Sequence, residues 1–145
     1  MIYLPDVNVW VALAVDGHPH HAIAKRWFER LGQESLLFCR VTEMGLLRLL
    51  TNEHVMSGHP LSSQAAWGVR KQFEGDTRVK YVPEPSGFEA VWRGTAQAGK
   101  IGPNFWTDAY LSSFCVGTGA TMVTFDRGFG VRTPCKVLLL EGRRS

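Results

Sequence analysis

The feature that most restricts the fold is an alternation of short, uniformly apolar segments with longer segments of helical period. Ile2 to Leu4 reads as a strand, ended by Pro5 and Asp6, and the apolar stretch Val7 to Val15 is long enough for a buried helix. Asp16-Gly17-His18-Pro19 breaks that helix, and His20 to Leu31 follows as an amphipathic one with Ala24, Trp27, Phe28 and Leu31 at helical spacing. Leu36 to Cys39 is a second strand and Val41 to Leu50 a third helix. Ser62 or Ser63 can cap a helix reaching about Phe73, Val79 to Val82 is a third strand, and Phe88 to Ala98 is helical. Gly102-Pro103 opens a strong helix to about Val116, closed by Gly117 and Gly119. Thr121 to Phe125 is a β-branched strand, Asp126 to Gly130 a turn, and Val137 to Leu140 the last strand. Uniformly apolar strands between helices are the pattern of a mostly parallel sheet covered on both faces, an α/β fold.

A chain of 145 residues with 45% hydrophobic residues is expected to form one domain, residues 1–145, with apolar material for a full core. The longest strictly apolar run, Val9 to Val15, has seven residues, against the ~20 needed to cross a bilayer. No Lys or Arg precedes that run, so the basic head of a secretory signal is missing. Cys39, Cys115 and Cys135 are widely spaced and odd in number, which suits reduced thiols acting as small hydrophobes. Together these features lead to the expectation of a cytoplasmic protein with no membrane association. The net charge of +3 is compatible with a polyanionic partner, but the basic residues form no block that would announce one.

The acids carry the functional signal. Of thirteen, nine lie where turns or solvated helix faces account for them. The other four, Asp6, Glu43, Asp108 and Asp126, each sit in or at the edge of an apolar element. Taken singly, each has a plainer role: Asp6 as a helix N-cap, Glu43 in a capping arrangement, Asp108 paired with an arginine, Asp126 as a turn former. Taken together they would put several carboxylates out of water, at a cost of several kcal/mol each unless something compensates them. Hard oxygen ligands in this number suit Mg²⁺ or Mn²⁺, and no His-x-x-x-His or Cys-x-x-Cys pattern competes. Asp6 and Asp126 directly follow predicted strands, where ligands gather in such sheets. Asn104 and Asp108 share a helical face that Ser112 continues. Thr42 is a candidate cap for the helix carrying Glu43, and Asn8 and Thr124 stand two residues from Asp6 and Asp126, placed to order a carboxylate or a water.

The cluster His18, His20 and His21 leaves a metal-free ribonuclease as a competing chemistry, although solvated or capping roles suffice for these residues. Trp10, Trp27, Trp67, Trp92 and Trp106 fall within predicted helices and read as core or interface residues rather than base-stacking platforms.

The ordered set of acids, with Asp-x-Asn at Asp6, Arg-x-Thr-Glu-x-x-x-x-Arg-Leu-Leu-Thr-Asn at Arg40 to Asn52, Asp-Ala at Asp108 and Thr-Phe-Asp-Arg-Gly-Phe from Thr124 to Phe129, resembles the PIN-domain family. Within it the resemblance is to the VapC toxins of bacterial VapBC toxin–antitoxin pairs, over essentially the whole chain. That resemblance implies a PIN-like three-layer α/β/α sandwich and a Mg²⁺- or Mn²⁺-dependent endoribonuclease with RNA as substrate. It further implies a homodimer and a small VapB-like antitoxin as partner. The family's catalytic and metal-binding quartet maps onto Asp6, Glu43, Asp108 and Asp126, with Asn8 and Thr124 in its supporting polar positions.

Other small α/β domains fit less well. A phosphoryl-accepting receiver wants adjacent acids after its first strand and a lysine after its last core strand, but Asp6 stands alone and Lys136 precedes its strand. A haloacid-dehalogenase-like phosphatase wants Asp-x-Asp, where this chain has Asn8. A binding module built on a PIN-like fold without catalysis is the remaining alternative. Metal-dependent RNA cutting by water would leave 5′-phosphate and 3′-hydroxyl ends and separates the enzyme from all of these.

Overall fold

The structure, a computed structural model, describes residues 1–97, 99–129 and 134–141. Five strands and six helices follow one another along these residues: β1 (Ile2–Pro5), α1 (Val7–Ala14), α2 (His21–Arg30), β2 (Ser35–Phe38), α3 (Arg40–Leu50), α4 (Ser63–Glu74), β3 (Val79–Tyr81), α5 (Phe88–Thr95), α6 (Phe105–Thr118), β4 (Thr121–Thr124) and β5 (Val137–Leu139). The strands form one parallel sheet in the order β3-β2-β1-β4-β5. Apolar runs are what the covered strands of such a sheet require, and the edge strand β3, with Lys80 and Tyr81 exposed, departs from that pattern.

Side-chain alternation along the strands divides the core into two layers. Leu36 and Phe38 of β2 pack with Trp10, Leu46, Leu50 and Ala66 of α1, α3 and α4. Leu4, Leu37 and Met122 face the other way and pack with Phe88, Tyr110, Leu111 and Phe114 of α5 and α6. Trp10 is fully buried, its ring stacked 3.9 Å from Phe38. The result is the three-layer α/β/α arrangement.

The strand order reverses at β1. The chain moves from β1 to β2 and β3 on one side and returns to β4 and β5 on the other, so the topological switch point, where ligands gather in open α/β sheets, lies beyond the carboxyl ends of β1 and β4. A backbone hydrogen bond from Asp6 N–H to the Val123 carbonyl, 2.7 Å, ties the two strand ends at this point.

The elements lie close to those read from the sequence, with local differences. Ser62 is the cap of α4, its hydroxyl accepting the Ala65 N–H. Thr42 does not cap α3. The helix starts at Arg40 with Cys39 as its cap, and the Thr42 hydroxyl, one turn in, accepts the Cys39 N–H at 3.1 Å. Gly117 lies inside α6, and Gly119 ends it in the left-handed conformation at φ 76°, where glycine carries no Cβ penalty. Trp67 and Trp106 are more than half exposed, unlike Trp10. Gly130, expected at the end of a turn, lies outside the described residues. No helix among the described residues is long and apolar enough to cross a membrane.

Candidate active site

Asp6 is the first residue after β1 and the cap of α1. Its Oδ1 accepts the Val7 N–H at 2.8 Å, so the plainer capping role is real, but it occupies only one carboxylate oxygen. The other, Oδ2, accepts the Thr124 hydroxyl at 2.8 Å. Thr124 ends β4 and is fully buried. Its oxygen also accepts Asn8 Nδ2 at 3.3 Å and the Asp126 N–H at 3.0 Å. Asn8 in turn accepts the Phe125 N–H at 3.4 Å. One hydroxyl therefore links the start of α1 to the residues that follow β4.

Asp126 likewise combines two tasks. Its Oδ1 accepts the Gly128 N–H at 2.9 Å, closing the turn the sequence suggested, while its carboxylate is close enough to act electrostatically on Asp6. Asp108, in the first turn of α6, does the same and is 9% exposed. Burial, reinforced by these two neighbouring carboxylates, holds the Asp6 carboxyl above the ordinary aspartate range against the lowering effect of the Thr124 and Val7 hydrogen bonds. Asn104 caps α6 one turn earlier. It is exposed, its side chain makes no cap bond, and it reaches Asp108 through its backbone carbonyl, which accepts the Asp108 N–H at 2.8 Å.

Glu43 is held differently. Oε2 accepts Arg70 Nε at 2.9 Å, and Oε1 is bonded by Arg40. Both Glu43 and Arg70 are buried, and the Arg70 guanidinium lies 4.2 Å from the centre of the Phe38 ring. Arginine pairing is thus observed at Glu43. Arg70 was not singled out in the sequence, although a charge at position 70, between Ala66, Val69 and Phe73 on an otherwise apolar helix face, marks a buried partner. Ser112, one turn beyond Asp108, is fully buried, and its hydroxyl has no hydrogen-bond partner among the described residues.

The structure therefore brings Asp6, Asp108 and Asp126 together as electrostatic neighbours and ties Glu43 to two arginines. Among the described residues no three His, Cys, Asp or Glu side chains close into a metal-ligating cluster. The donors are nonetheless hard oxygens around a carboxylate that resists ionisation, which suits a small divalent cation. Mg²⁺ commonly needs only one or two carboxylates, the rest of its shell being water and substrate phosphate. The histidines are distributed over local tasks: His18 Nδ1 accepts the His20 N–H, and His21 Nδ1 lies 2.7 Å from the Ala12 carbonyl.

Residues 3–132 match the model of the PIN domain family. The chain belongs to the PIN domain family. Among curated relatives, it is 39% identical over 131 residues to Ribonuclease VapC41 of Mycobacterium tuberculosis, covering 87% of this chain and 90% of that one. Among solved structures, VapC20 of Mycobacterium tuberculosis, described as a sarcin-ricin loop cleaving toxin, superposes with a TM-score of 0.68 at 20% identity over 90% of this chain and 94% of that one. VapBC2 of Rickettsia felis, solved bound to a promoter DNA fragment, gives a TM-score of 0.68 at 14% identity, covering 97% of this chain and all of the matched one, 100%. At those identities the structural likeness speaks for the PIN fold alone, and the sequence relationship to VapC41 carries the family assignment further toward the VapC ribonucleases.

Proposed function

We propose that this PIN-domain chain is the toxin of a VapBC-type pair and an endoribonuclease that hydrolyses RNA phosphodiester bonds with the help of Mg²⁺ or Mn²⁺. The observation that carries the reading is the coupling of Asp6, Asp108 and Asp126 at the switch point of the sheet, in a chain related over most of its length to a ribonuclease. Asp6, Asp108 and Asp126 would hold the cation, with Glu43 completing the quartet from its arginine clamp. A bound divalent cation would polarise the scissile phosphate and ease deprotonation of an attacking water.

The protein's own contribution is positioning. Thr124 fixes Asp6 Oδ2 and the Asp126 backbone in one network, and Asn8 locks the Thr124 hydroxyl into donating toward Asp6. Arg70 and Arg40 hold the buried Glu43 side chain in one orientation. Asn104, exposed at the mouth of α6, is a supporting polar residue within reach of solvent and substrate. A homodimer and a VapB-like antitoxin are the partners this reading entails, and all 145 residues are read as one domain.

Incubation of the purified chain with total bacterial RNA tests the proposal. Cutting should need added Mg²⁺ or Mn²⁺, stop with EDTA, and leave 5′-phosphate and 3′-hydroxyl ends. Full activity in EDTA, or 2′,3′-cyclic phosphate ends, would remove the carboxylate mechanism.

A further inference from the structure

Beside the acids lies an aromatic pair in which Phe125 packs on the core around Val9 and Val123 while His20 has no evident structural task. His20 precedes α2, makes no side-chain cap bond and is exposed. Its imidazole lies parallel to the Phe125 ring, with centroids 4.5 Å apart and planes 15° from one another. Phe125 is the residue between Thr124 and Asp126, and its N–H is held by Asn8 Oδ1. The stack is therefore mounted on the same short segment that carries the acidic site.

The turn that presents His20 is pinned on both sides. His18 Nδ1 accepts the His20 N–H at 3.0 Å, and the His18 ring stands 5.7 Å from that of His20. His21 is anchored to the Ala12 carbonyl at the end of α1. A ring held this way loses little freedom when something lies against it, which favours binding. One face of the imidazole is taken by Phe125, the His18 ring stands near it at a 45° tilt, and the residue is exposed, so its remaining surface is where a flat partner would lie. A nucleobase is the partner whose chemistry fits, because every base has a π-face and its attached phosphate carries the charge that a cation-loaded acidic site attracts.

We infer that His20, backed by Phe125, is a stacking platform for one base of single-stranded RNA beside the scissile phosphate, acting on substrate binding without entering the chemistry. This inference rests on the ribonuclease reading. Stacking is sequence-tolerant, so the platform would set where an unpaired nucleotide sits rather than which base it is.

The test is fluorescence anisotropy with a labelled, random-sequence single-stranded RNA of about twelve nucleotides, a length within the usual range for such grooves. An abasic ribose-phosphate strand of the same length serves as the comparison. His20→Ala should weaken binding of the base-containing strand about tenfold, the loss of one stacked base, and leave the abasic strand unchanged. His20→Phe should restore wild-type affinity, since a flat ring without the imidazole nitrogens suffices. Melting curves check that His20→Ala remains folded, as its exposure and empty cap predict. Unchanged affinity in His20→Ala would overturn the platform, as would equal weakening of both strands, which would mean a contact to the backbone. Either outcome leaves RNA cutting by the wild type intact. A wild type that binds neither strand would overturn the ribonuclease reading and the platform with it.

Discussion

Arg70 Nε donates to Glu43 Oε2 at 2.9 Å across the packing of α4 on α3, with side chains only 4% and 8% exposed. A buried pair of this kind returns little net stability, because desolvation offsets attraction, but breaking it strands a charge. Arg70→Ala should therefore destabilise the protein by about 3–5 kcal/mol, read by urea unfolding. Replacing both residues, Glu43→Gln with Arg70→Met, should cost clearly less than the sum of the single changes. Strict additivity would mean that the two side chains do not depend on one another.

A second expectation concerns Asp6 and pH. Its carboxyl is raised in the folded state, chiefly by burial and further by Asp108 and Asp126. The folded protein thus keeps a proton that the unfolded chain releases. The stability this group contributes is fully present below the ordinary aspartate value of 3.8 and is lost as the pH climbs through the raised folded value. Asp126→Asn removes one repelling charge while its amide oxygen can still accept the Gly128 N–H. Without metal, this variant should melt at or above the wild-type temperature near neutral pH, and Asp6 should titrate at lower pH in carboxyl NMR. Cleavage should meanwhile fall by at least about 100-fold, a loss of ~2.7 kcal/mol in transition-state stabilisation.

The third expectation isolates the Thr124 hydroxyl, which donates to Asp6 and accepts from Asn8 and the Asp126 backbone. Thr124→Val keeps the shape but leaves buried polar groups unpaired, so stability should drop by about 2 kcal/mol. Thr124→Ser keeps the oxygen and should recover most of the RNA-cutting rate. Equal activity of the valine and serine variants would show that the hydroxyl does not position the carboxylates.

Gly45 supplies a fourth. A Cβ built there would stand 2.5 Å from Val7 Cγ2, so the glycine allows α3 to approach the first residue of α1. That approach places Glu43 relative to Asp6. Gly45→Ala should cost about 1–3 kcal/mol in thermal or urea unfolding despite the better helix propensity of alanine. Adding Val7→Ala should restore part of the loss, which a purely local effect of the alanine would not allow.

Much of this protein is written in local pattern. The apolar runs at Leu36 to Phe38 and Met122 to Val123 identify a buried parallel sheet because a strand covered on both faces leaves no position for polar residues. The four acids stand out for the same reason: a carboxylate among apolar neighbours is costly, and position alone reveals it. Capping chemistry also located the start of α4 at Ser62 or Ser63, of which Ser62 is the cap, whereas the cap of α3 moved to Cys39, since Thr42 can bond back to Cys39 from inside the first turn.

What local pattern does not contain is the choice of partner. Asp6 and Thr124 are 118 positions apart, Glu43 and Arg70 are 27 apart, and His20 meets Phe125 only because the start of α2 and the end of β4 come together in the fold. The amino-acid sequence by itself determined that this chain would be a parallel α/β protein with unusually placed carboxylates. Only the tertiary structure decided which carboxylates face one another and which is clamped by arginine, because ionic and hydrogen-bond energies depend on separations of a few ångströms that packing sets.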